Sequence, residues 1–255
     1  QYPAPSTHRR LAARSGPWAA GLLIVVTGLL AATPARAEPQ HRHLGGFDRV
    51  ELRTAARVVI RQGDEDAILV EALPAMLPLI GTRVENDTLQ VADEPGAGTQ
   101  PGEVLITLRR LRGLTASGVT QVVAEGLSGR ELSITGGGAS AMTLRQLDLS
   151  RLRVALGGGS QLLVSGRTRE LTAQLGGHAG MDAADLDVDE AMVQGGGQSR
   201  ATVSVRQSLS LAIAGSAVVS YYGSVKPTVA IGGQRREPMA QQLGQALPRA
   251  RSAGR

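Results

Sequence analysis

Through the second half of the chain, a small residue followed by glycine recurs about every twenty residues. Glycine is present in all seven copies, which are spaced by 20, 20, 19, 20, 18 and 18 residues. These glycines are Gly118, Gly138, Gly158, Gly177, Gly197, Gly215 and Gly233. The repeat is too short for a propeller blade of about 40 residues, and it lacks the helical periodicity that leucine-rich repeats require. It therefore favours a stack of short β-strands.

Apolar residues alternate with small or polar residues on both sides of each glycine. Positions four and six after the glycine, such as Val122 and Ala124, are apolar in six copies, and the position four before it is apolar in all seven. Alternation with a period of two is typical of a half-buried strand. Each repeat is therefore predicted to run strand, turn, strand, turn. The seven glycines are the predicted structural turn residues, because such corners need positive φ or the close approach of a neighbouring coil.

Stacking units of equal length gives the predicted fold. Each strand would pair in parallel with the strand one coil away, about 4.8 Å distant, and parallel crossovers of this kind wind right-handed. The chain is thus predicted to be all-β, a right-handed parallel β-helix, or β-solenoid, of about six coils over residues 109–234.

The segment 47–108 alternates in the same way without the glycine repeat, as in Val50 and Leu52 or Val58 and Ile60. It is predicted to be a β-rich amino-terminal region that caps the solenoid, since an open end would expose unpaired strand edges. Two of its turns, Gln62 to Asp64 and Asn86 to Asp87, have the composition of hairpin turns.

The two ends of the chain differ from its body. Residues 1–37 contain arginines, an apolar run from Trp18 to Ala32 and a terminal Ala-Arg-Ala, which together predict a secretory signal peptide. An uncleaved membrane anchor and twin-arginine export are the alternatives. The run is shorter than the about 20 residues of a spanning helix, and no later stretch is long and apolar enough to cross a membrane. Residues 38–46 are expected to be a flexible lead-in, and residues 235–255 an arginine-bearing tail.

Charge and cysteine content exclude several functions. The net charge of +5 comes from the ends, because residues 38–234 hold 18 basic and 21 acidic groups. Nucleic-acid binders cluster basic residues and add stacking aromatics, both of which this body lacks, so no nucleic-acid partner is predicted. The chain has no cysteine, so disulfides, thiol catalysis and cysteine metal sites are excluded.

No catalytic group can be assembled from the repeat. The acids Glu125 and Asp182 fall three coils apart, about 14 Å by the strand spacing, beyond the separation of a glycosidase carboxyl pair. No catalytic residue and no cofactor is therefore predicted.

Two other groups of residues are candidates for binding an ion or a partner. Asp185, Asp187 and Asp189 lie on one side of an extended segment and could offer oxygen ligands to Ca²⁺, although a solvated corner explains them equally well. Tyr221 and Tyr222 form the one adjacent aromatic pair, and they are either a partner contact or a cap over the last coil.

Several short patterns occur in a distinctive order. Phe47-x-x-Val50 is followed by Val58-x-Ile60-x-Gln62-Gly63-Asp64, by Ile68-x-Val70-Glu71 and Asn86-x-x-Leu89, and then by the glycine repeats. This order resembles the head GIN domain family, described as heads of auto-transporter adhesins and found in bacterial envelope and secreted proteins. The resemblance spans residues 47–233 and implies a right-handed parallel β-helix and an exported location, with no catalytic residues to transfer.

The function predicted from these features is that of an exported, non-enzymatic protein of the cell envelope, either periplasmic or at the cell surface. It would act as an adhesin-like binding or structural β-solenoid with an envelope protein or a glycan as partner. The alternative is a polysaccharide-acting enzyme, because β-helices often carry such activities.

Overall fold

The computed structural model describes residues 37–96, 102–231 and 239–242, all within one unit of the chain that spans residues 35–255. The described residues form seventeen strands and one 3-10 helix, Leu77–Leu79. The strands are β1 (Glu38–Arg42), β2 (Arg49–Arg53), β3 (Arg57–Gln62), β4 (Ala67–Ala72), β5 (Ile80–Glu85), β6 (Thr88–Asp93), β7 (Glu103–Leu108), β8 (Gly113–Ala116), β9 (Gln121–Glu125), β10 (Ser128–Gly136), β11 (Ala141–Leu156), β12 (Gln161–Leu175), β13 (Gly180–Gly195), β14 (Arg200–Ile213), β15 (Val218–Tyr222), β16 (Thr228–Ile231) and β17 (Met239–Gln242). The predicted signal peptide, up to residue 36, and the turn residue Gly233 lie outside the described residues.

Strands one repeat apart pair in parallel, which confirms the all-β solenoid. Met142 of β11 is paired with Val122 of β9 on one side and with Leu162 of β12 on the other. The same register continues through β13, β14 and β15, and the solenoid has about six turns. Residues about twenty apart in sequence therefore lie directly over one another.

Each full coil has three faces around the core. In the coil from residue 141 to 160, the alternation of buried and exposed residues breaks at 145–146, 150–151 and 157–159, so the chain turns at each of these places. Face 1 follows the glycine corner and contains β9, the first parts of β11 to β14, and β15. Face 2 contains residues 128–131 of β10 and the middle parts of β11 to β14. Face 3 leads back to the glycine corner and contains β8, the last parts of β10 to β14, and β16.

The apolar columns of the repeat form the core. Residues four and six after the glycine are at most 6% exposed in all six copies. The column four before the glycine is also buried up to Leu211, whereas Val229 in β16 is 39% exposed, since none of the described strands of face 3 covers β16. One inner column was not predicted from the sequence. It lies two residues after the glycine, where small hydroxyl side chains are buried. Its hydroxyl members are Thr120, Ser140, Ser160 and Ser199.

Six of the seven predicted turn glycines are described, and they stack along one corner. Their φ angles lie between 65° and 74°. From Gly138 onward, a Cβ atom on any of them would lie 2.8–3.0 Å from the carbonyl oxygen of the turn glycine one coil earlier. The same oxygen accepts a hydrogen bond from the next coil, as when the Gly159 N–H donates to Gly138 at 2.8 Å. The hydrogen bonds between coils therefore continue around the corner, and any side chain there would break them.

The uneven repeat length is absorbed mainly at the corner between faces 1 and 2, with a smaller shift between Val188 and Glu190 at the corner between faces 2 and 3. Leu144 pairs with Val164 and Leu147 with Gly166, so β12 has one residue fewer than β11 at the corner between faces 1 and 2. The larger shift between β13 and β14, at Ala183 and Asp187, lies at the same corner. The length of the glycine corner is thus constant, whereas the length of the corner between faces 1 and 2 varies most. We call the latter the variable corner.

The amino-terminal β region continues the solenoid in a different chain order. On face 3, β2 lies between β6 and β8, and on face 1, β3 lies between β7 and β9. The winding made by β2 and β3 is therefore inserted between two later windings, although it comes first in sequence. Antiparallel strands close this end, with β5 beside β6 on face 3 and with β4 beside β7, followed by β1, on face 1.

The two expected hairpins have different outcomes. Asn86 and Asp87 do turn between the antiparallel strands β5 and β6, and both have positive φ, 49° and 58°, as a tight hairpin turn of this type requires. Gln62 to Asp64 does not form a hairpin, because β7 lies between β3 and β4.

The ends of the described region contain two strands that were not predicted from the sequence. Within the expected flexible lead-in, residues 38–42 form β1 and pair with β4. The side chain of Arg42 fixes this strand by donating to the carbonyl oxygen of Leu77 and to Thr82 Oγ1, both at 2.8 Å. Within the expected tail, β17 pairs with β15 in parallel. In both places a sheet edge was available, and main-chain pairing satisfies its open hydrogen bonds.

Candidate functional site

Of the two adjacent tyrosines, one lies in the core and the other lies on the outer side of the sheet. Tyr221 is only 6% exposed and is the last member of the buried column six residues after the glycine, beside Val203. Tyr222 lies on the outer side of β15 and is partly exposed. Tyr221 is therefore buried in the core, with Val203 paired on one side and Gln242 of β17 on the other. A partner contact through the pair stays a prediction.

The three aspartates considered for Ca²⁺ do not converge. Asp185 is exposed at the variable corner, whereas Asp187 forms an ion pair with Arg206 at 3.0 Å. Among the described residues, no three histidine, cysteine, aspartate or glutamate side chains are arranged to hold a metal ion. The alternation of the sequence placed these carboxylates on one side, but Asp187 pairs with an arginine of the neighbouring coil instead.

Face 2 carries two ladders of alternating charge. In the first, Arg167 contacts Asp148 at 2.6 Å, and the next two coils add the Asp187 and Arg206 pair. In the second, Arg151 lies between Glu131 and Glu170, at 3.7 and 2.9 Å. Within these two ladders, the charges of the arginines and the acids therefore compensate one another.

The ion pairs of the ladders lower the pKa values of two carboxyl groups. The hydrogen bond from Arg167 lowers the pKa of Asp148, and the hydrogen bond from Arg151 lowers the pKa of Glu170. A catalytic acid needs the opposite change, because it must hold its proton near neutral pH. These carboxylates therefore have the electrostatics of ion-pair partners rather than of proton donors.

A groove runs along face 3 beside the glycine corner. We call it the glycine groove. Its volume is about 620 Å³ and it crosses five coils, β10 to β14. It is lined by Thr135, Gly136, Ala155, Leu156, Gly157, Gln174, Leu175, Gly176, Gln194, Gly195, Gly196, Ala212, Ile213 and Ala214. Short side chains and main chain form its surface, so it can accept an extended chain laid across successive coils.

Gly157 and Gly176, each the first glycine of its doublet, keep their part of this groove open. A Cβ atom on Gly157 or Gly176 would meet nothing within 4 Å, and neither residue has positive φ. The fold therefore does not require glycine at these positions, in contrast to the second glycine of the same doublets. The sequence predicted each doublet as a single turn, so the groove was not predicted. Only the structure distinguishes a glycine with positive φ from one with an unstrained backbone.

The described residues contain no helix that is both long enough and apolar enough to cross a lipid bilayer. No curated protein matches the chain in sequence.

Comparisons with known families and structures agree with this fold. The family model described as "Putative auto-transporter adhesin, head GIN domain" matches residues 46–225. A crystal structure of a putative adhesin from Bacteroides fragilis is similar with a TM-score of 0.72 and 18% identity, covering 80% of this chain and 95% of that one. A putative adhesin from Parabacteroides merdae has a TM-score of 0.63 and 15% identity, with 82% and 98% covered. A putative lipid binding protein from Parabacteroides distasonis has a TM-score of 0.65 and 15% identity, also with 82% and 98% covered.

Proposed function

Because the chain belongs to the head GIN domain family, we propose that it is an exported, non-enzymatic adhesin-like protein that binds an extended partner in the glycine groove. The observation that carries this proposal is that Gly157 and Gly176 lie in unstrained backbone with free space around them. Larger side chains could be accommodated by the fold at these positions, and they would fill the groove.

Export is supported by the amino-terminal pattern of arginines, apolar run and small residues before residue 38. The absence of cysteine suits either the periplasm or the cell surface, because folding then needs no disulfide. We therefore place the protein in the cell envelope or outside the cell.

A non-enzymatic role is supported by the placement of the acids. Three strand spacings separate the coils of Glu125 and Asp182, about 14 Å, whereas glycosidase carboxyls lie roughly 5 to 9.5 Å apart. On face 2, Asp148 and Glu170 are held in ion pairs with arginines, which lower their pKa values.

The groove has the dimensions of a site for an unbranched chain. Its five coils span four strand spacings, about 19 Å, which matches about six residues of extended peptide or a comparable length of glycan. An acyl chain is the second candidate, since the accessible surface of the groove is mostly apolar and one structural relative is described as a putative lipid binding protein.

The test is binding of the full chain to arrayed glycans, envelope fractions and fatty-acid probes, with a variant in which Gly157→Leu and Gly176→Leu fill the groove. The matched control is Gly159→Leu, which changes a glycine of the same corner that has space for a Cβ and does not line the groove. We expect the double variant to lose binding at least about tenfold with unchanged thermal stability, and the control to bind like the wild type.

Equal binding by the double variant and the control would contradict the groove as the site. Release of reducing ends or unsaturated sugars from a polysaccharide, abolished by Asp182→Ala, would contradict the non-enzymatic proposal and support the alternative enzyme.

A further inference from the structure

A second recess lies at the start of face 2 and adjoins the glycine groove at Thr135. We call it the arginine cleft. Its volume is about 980 Å³, and its lining combines β2, β3, β8 and β10 with the segment 110–112 and Arg151 of β11. Five of the lining residues are arginines, namely Arg49, Arg110, Arg112, Arg130 and Arg151, whereas one, Glu131, is acidic.

Three of these arginines have no partner in the part of the chain that is described. Arg112 forms an ion pair with Asp48 at 3.2 Å, and Arg151 is held by Glu131 and Glu170. The side chains of Arg49, Arg110 and Arg130 make no hydrogen bond or ion pair with described residues. Glu131 cannot balance them, because Arg151 and Arg153 already bind its carboxylate. The lining thus has an excess of positive charge, although Arg110 also lines an adjoining recess with Asp48, Asp66 and Asp87.

The fold creates this cleft where a strand of face 2 is missing. Residues 128–131 of β10 pair with β11, and among the described residues no strand pairs with their other side. The preceding winding passes from β7 to β8 through the short segment 109–112 instead of through a face 2 strand. The place that this strand would fill is a recess. The three arginines without a described partner reach it from β2, from the segment 109–112 and from β10.

The walls of the cleft are held together by specific contacts. Gln62 Oε1 accepts a hydrogen bond from the Ser128 N–H at 2.8 Å, and Gln62 Nε2 donates to the carbonyl oxygen of Arg109 at 3.0 Å. The stem of Arg49 lies against Gly113, where an added Cβ would come within 3.2 Å of Arg49 Cγ. Gly113 has no positive φ, so the absent side chain makes room for Arg49 rather than for a turn.

The chemistry of the lining indicates the class of ligand. Guanidinium groups bind carboxylate, phosphate and sulfate oxygens with two parallel hydrogen bonds. Hydroxyl and amide side chains around them, from Thr115, Ser128, Ser133 and Gln62, suit the hydroxyl groups of sugars. The lining contains no aromatic ring on which a nucleobase could stack. The volume is at the upper end of ordinary ligand sites, which fits several linked sugar units rather than a single ion.

We propose that the arginine cleft binds an oligosaccharide that carries oxyanion groups, through Arg49, Arg110 and Arg130. The site adjoins the glycine groove at Thr135, but its arginines are not part of the groove lining.

The test is calorimetric titration of the full chain with trigalacturonate, a carboxylated probe, and with a sulfated and a phosphorylated trisaccharide, each against neutral maltotriose at low salt. We expect at least one of the anionic probes to bind, with weaker binding at high salt, and maltotriose to bind at least about tenfold more weakly. The three anionic probes also distinguish which oxyanion the cleft prefers.

Two sets of variants assign the binding to the cleft. Arg110→Ala combined with Arg130→Ala, or Gly113→Leu alone, should weaken binding at least about tenfold. The matched control is Arg61→Ala with Arg145→Ala, which removes the same charge from exposed arginines outside the cleft and should change binding less than about twofold. Unchanged thermal stability of the double variants shows that they fold.

The proposal would be overturned if no anionic probe bound at low salt, if maltotriose bound equally well, or if the control and cleft variants lost binding alike. The groove variants Gly157→Leu and Gly176→Leu should leave this binding intact. A failure of the groove proposal and a failure of the cleft proposal are thereby distinguishable.

Discussion

The two glycines of a doublet have different roles. The second is required by the corner of the fold, whereas the first leaves space in the groove. At Gly177, positive φ and the carbonyl oxygen of Gly158 leave no place for a side chain, since an added Cβ would lie 2.9 Å from that oxygen. At Gly176, one residue earlier, the backbone is unstrained and the space around it is open. The recurrence of the second glycine could be predicted from the repeat, because stacked coils need such a corner. The separate role of the first glycine could not, because it depends on which side of the corner faces solvent.

Alanine substitutions at these adjacent residues should therefore have opposite effects. Gly177→Ala should destabilise the protein by about 2 kcal/mol or more, from the left-handed backbone and the contact with the neighbouring coil. Gly176→Ala should stabilise it by about 0.4–1 kcal/mol, because it restricts the unfolded chain without native strain. Denaturant unfolding of both variants measures the difference, and equal losses of stability would contradict the assignment.

At the scale of strands, the sequence predicted the buried columns well but not where the strands join. Period-two alternation identifies which residues face the core on any flat strand. The corner between faces 1 and 2 has no constant signal, because it holds Gly126 in one coil and Gln146, with a φ of 55°, in the next. The expected separate strands are joined there into elements of up to 16 residues. Each element bends where the register shifts.

The charge ladders of face 2 were also missed, because they need the register between coils. Asp148 and Glu170 have lowered pKa values from their bonds to Arg167 and Arg151. A carboxylate whose pKa is lowered by folding stabilises the native state above its unfolded pKa, near 4, and this contribution is lost as the pH falls through the native value.

Combining Asp148→Asn with Glu170→Gln should therefore reduce stability at neutral pH, and the difference from the wild type should shrink as the pH falls below about 4. High salt should reduce the same difference, because these groups are exposed. Urea unfolding across this pH range tests the prediction, with Asp185→Asn as a control for loss of an exposed carboxylate. A difference that stays constant from neutral to acidic pH would mean that the ladders do not contribute.

At the scale of the whole described fold, the sequence predicted a solenoid with a β-rich start but not the order of its windings. Alternation alone cannot show that β2 and β3 lie between windings that come later in the chain. Nor could composition predict that residues 38–42 would pair with an edge, since Glu-Pro-Gln-His-Arg has no strand pattern. Edge pairing and the contacts of Arg42 determine that strand instead.

Because each coil contacts chiefly its neighbours, disturbance at this end should stay local. Burial lowers the pKa of Arg42, which nevertheless donates hydrogen bonds to the carbonyl oxygens of Leu77 and Ile80. Arg42→Ala should leave these oxygens unpaired, release β1 and speed hydrogen exchange in β4. Exchange in β12 and β13 should not change, as mass spectrometry of peptides from each strand can show. Faster exchange throughout would contradict the nearest-neighbour picture.

One column of residues on face 1 runs through β7, β3, β9 and β11 to β15, in that spatial order. The chain has no cysteine, so pairs of introduced cysteines can carry spin labels without background. From a label at Ser220, labels at Thr143, Val59 and Leu105 lie four, six and seven strands away. Pulsed electron spin resonance should therefore give backbone separations of about 19, 29 and 34 Å. A shorter distance to Leu105 than to Val59, as windings stacked in sequence order would produce, would contradict the account.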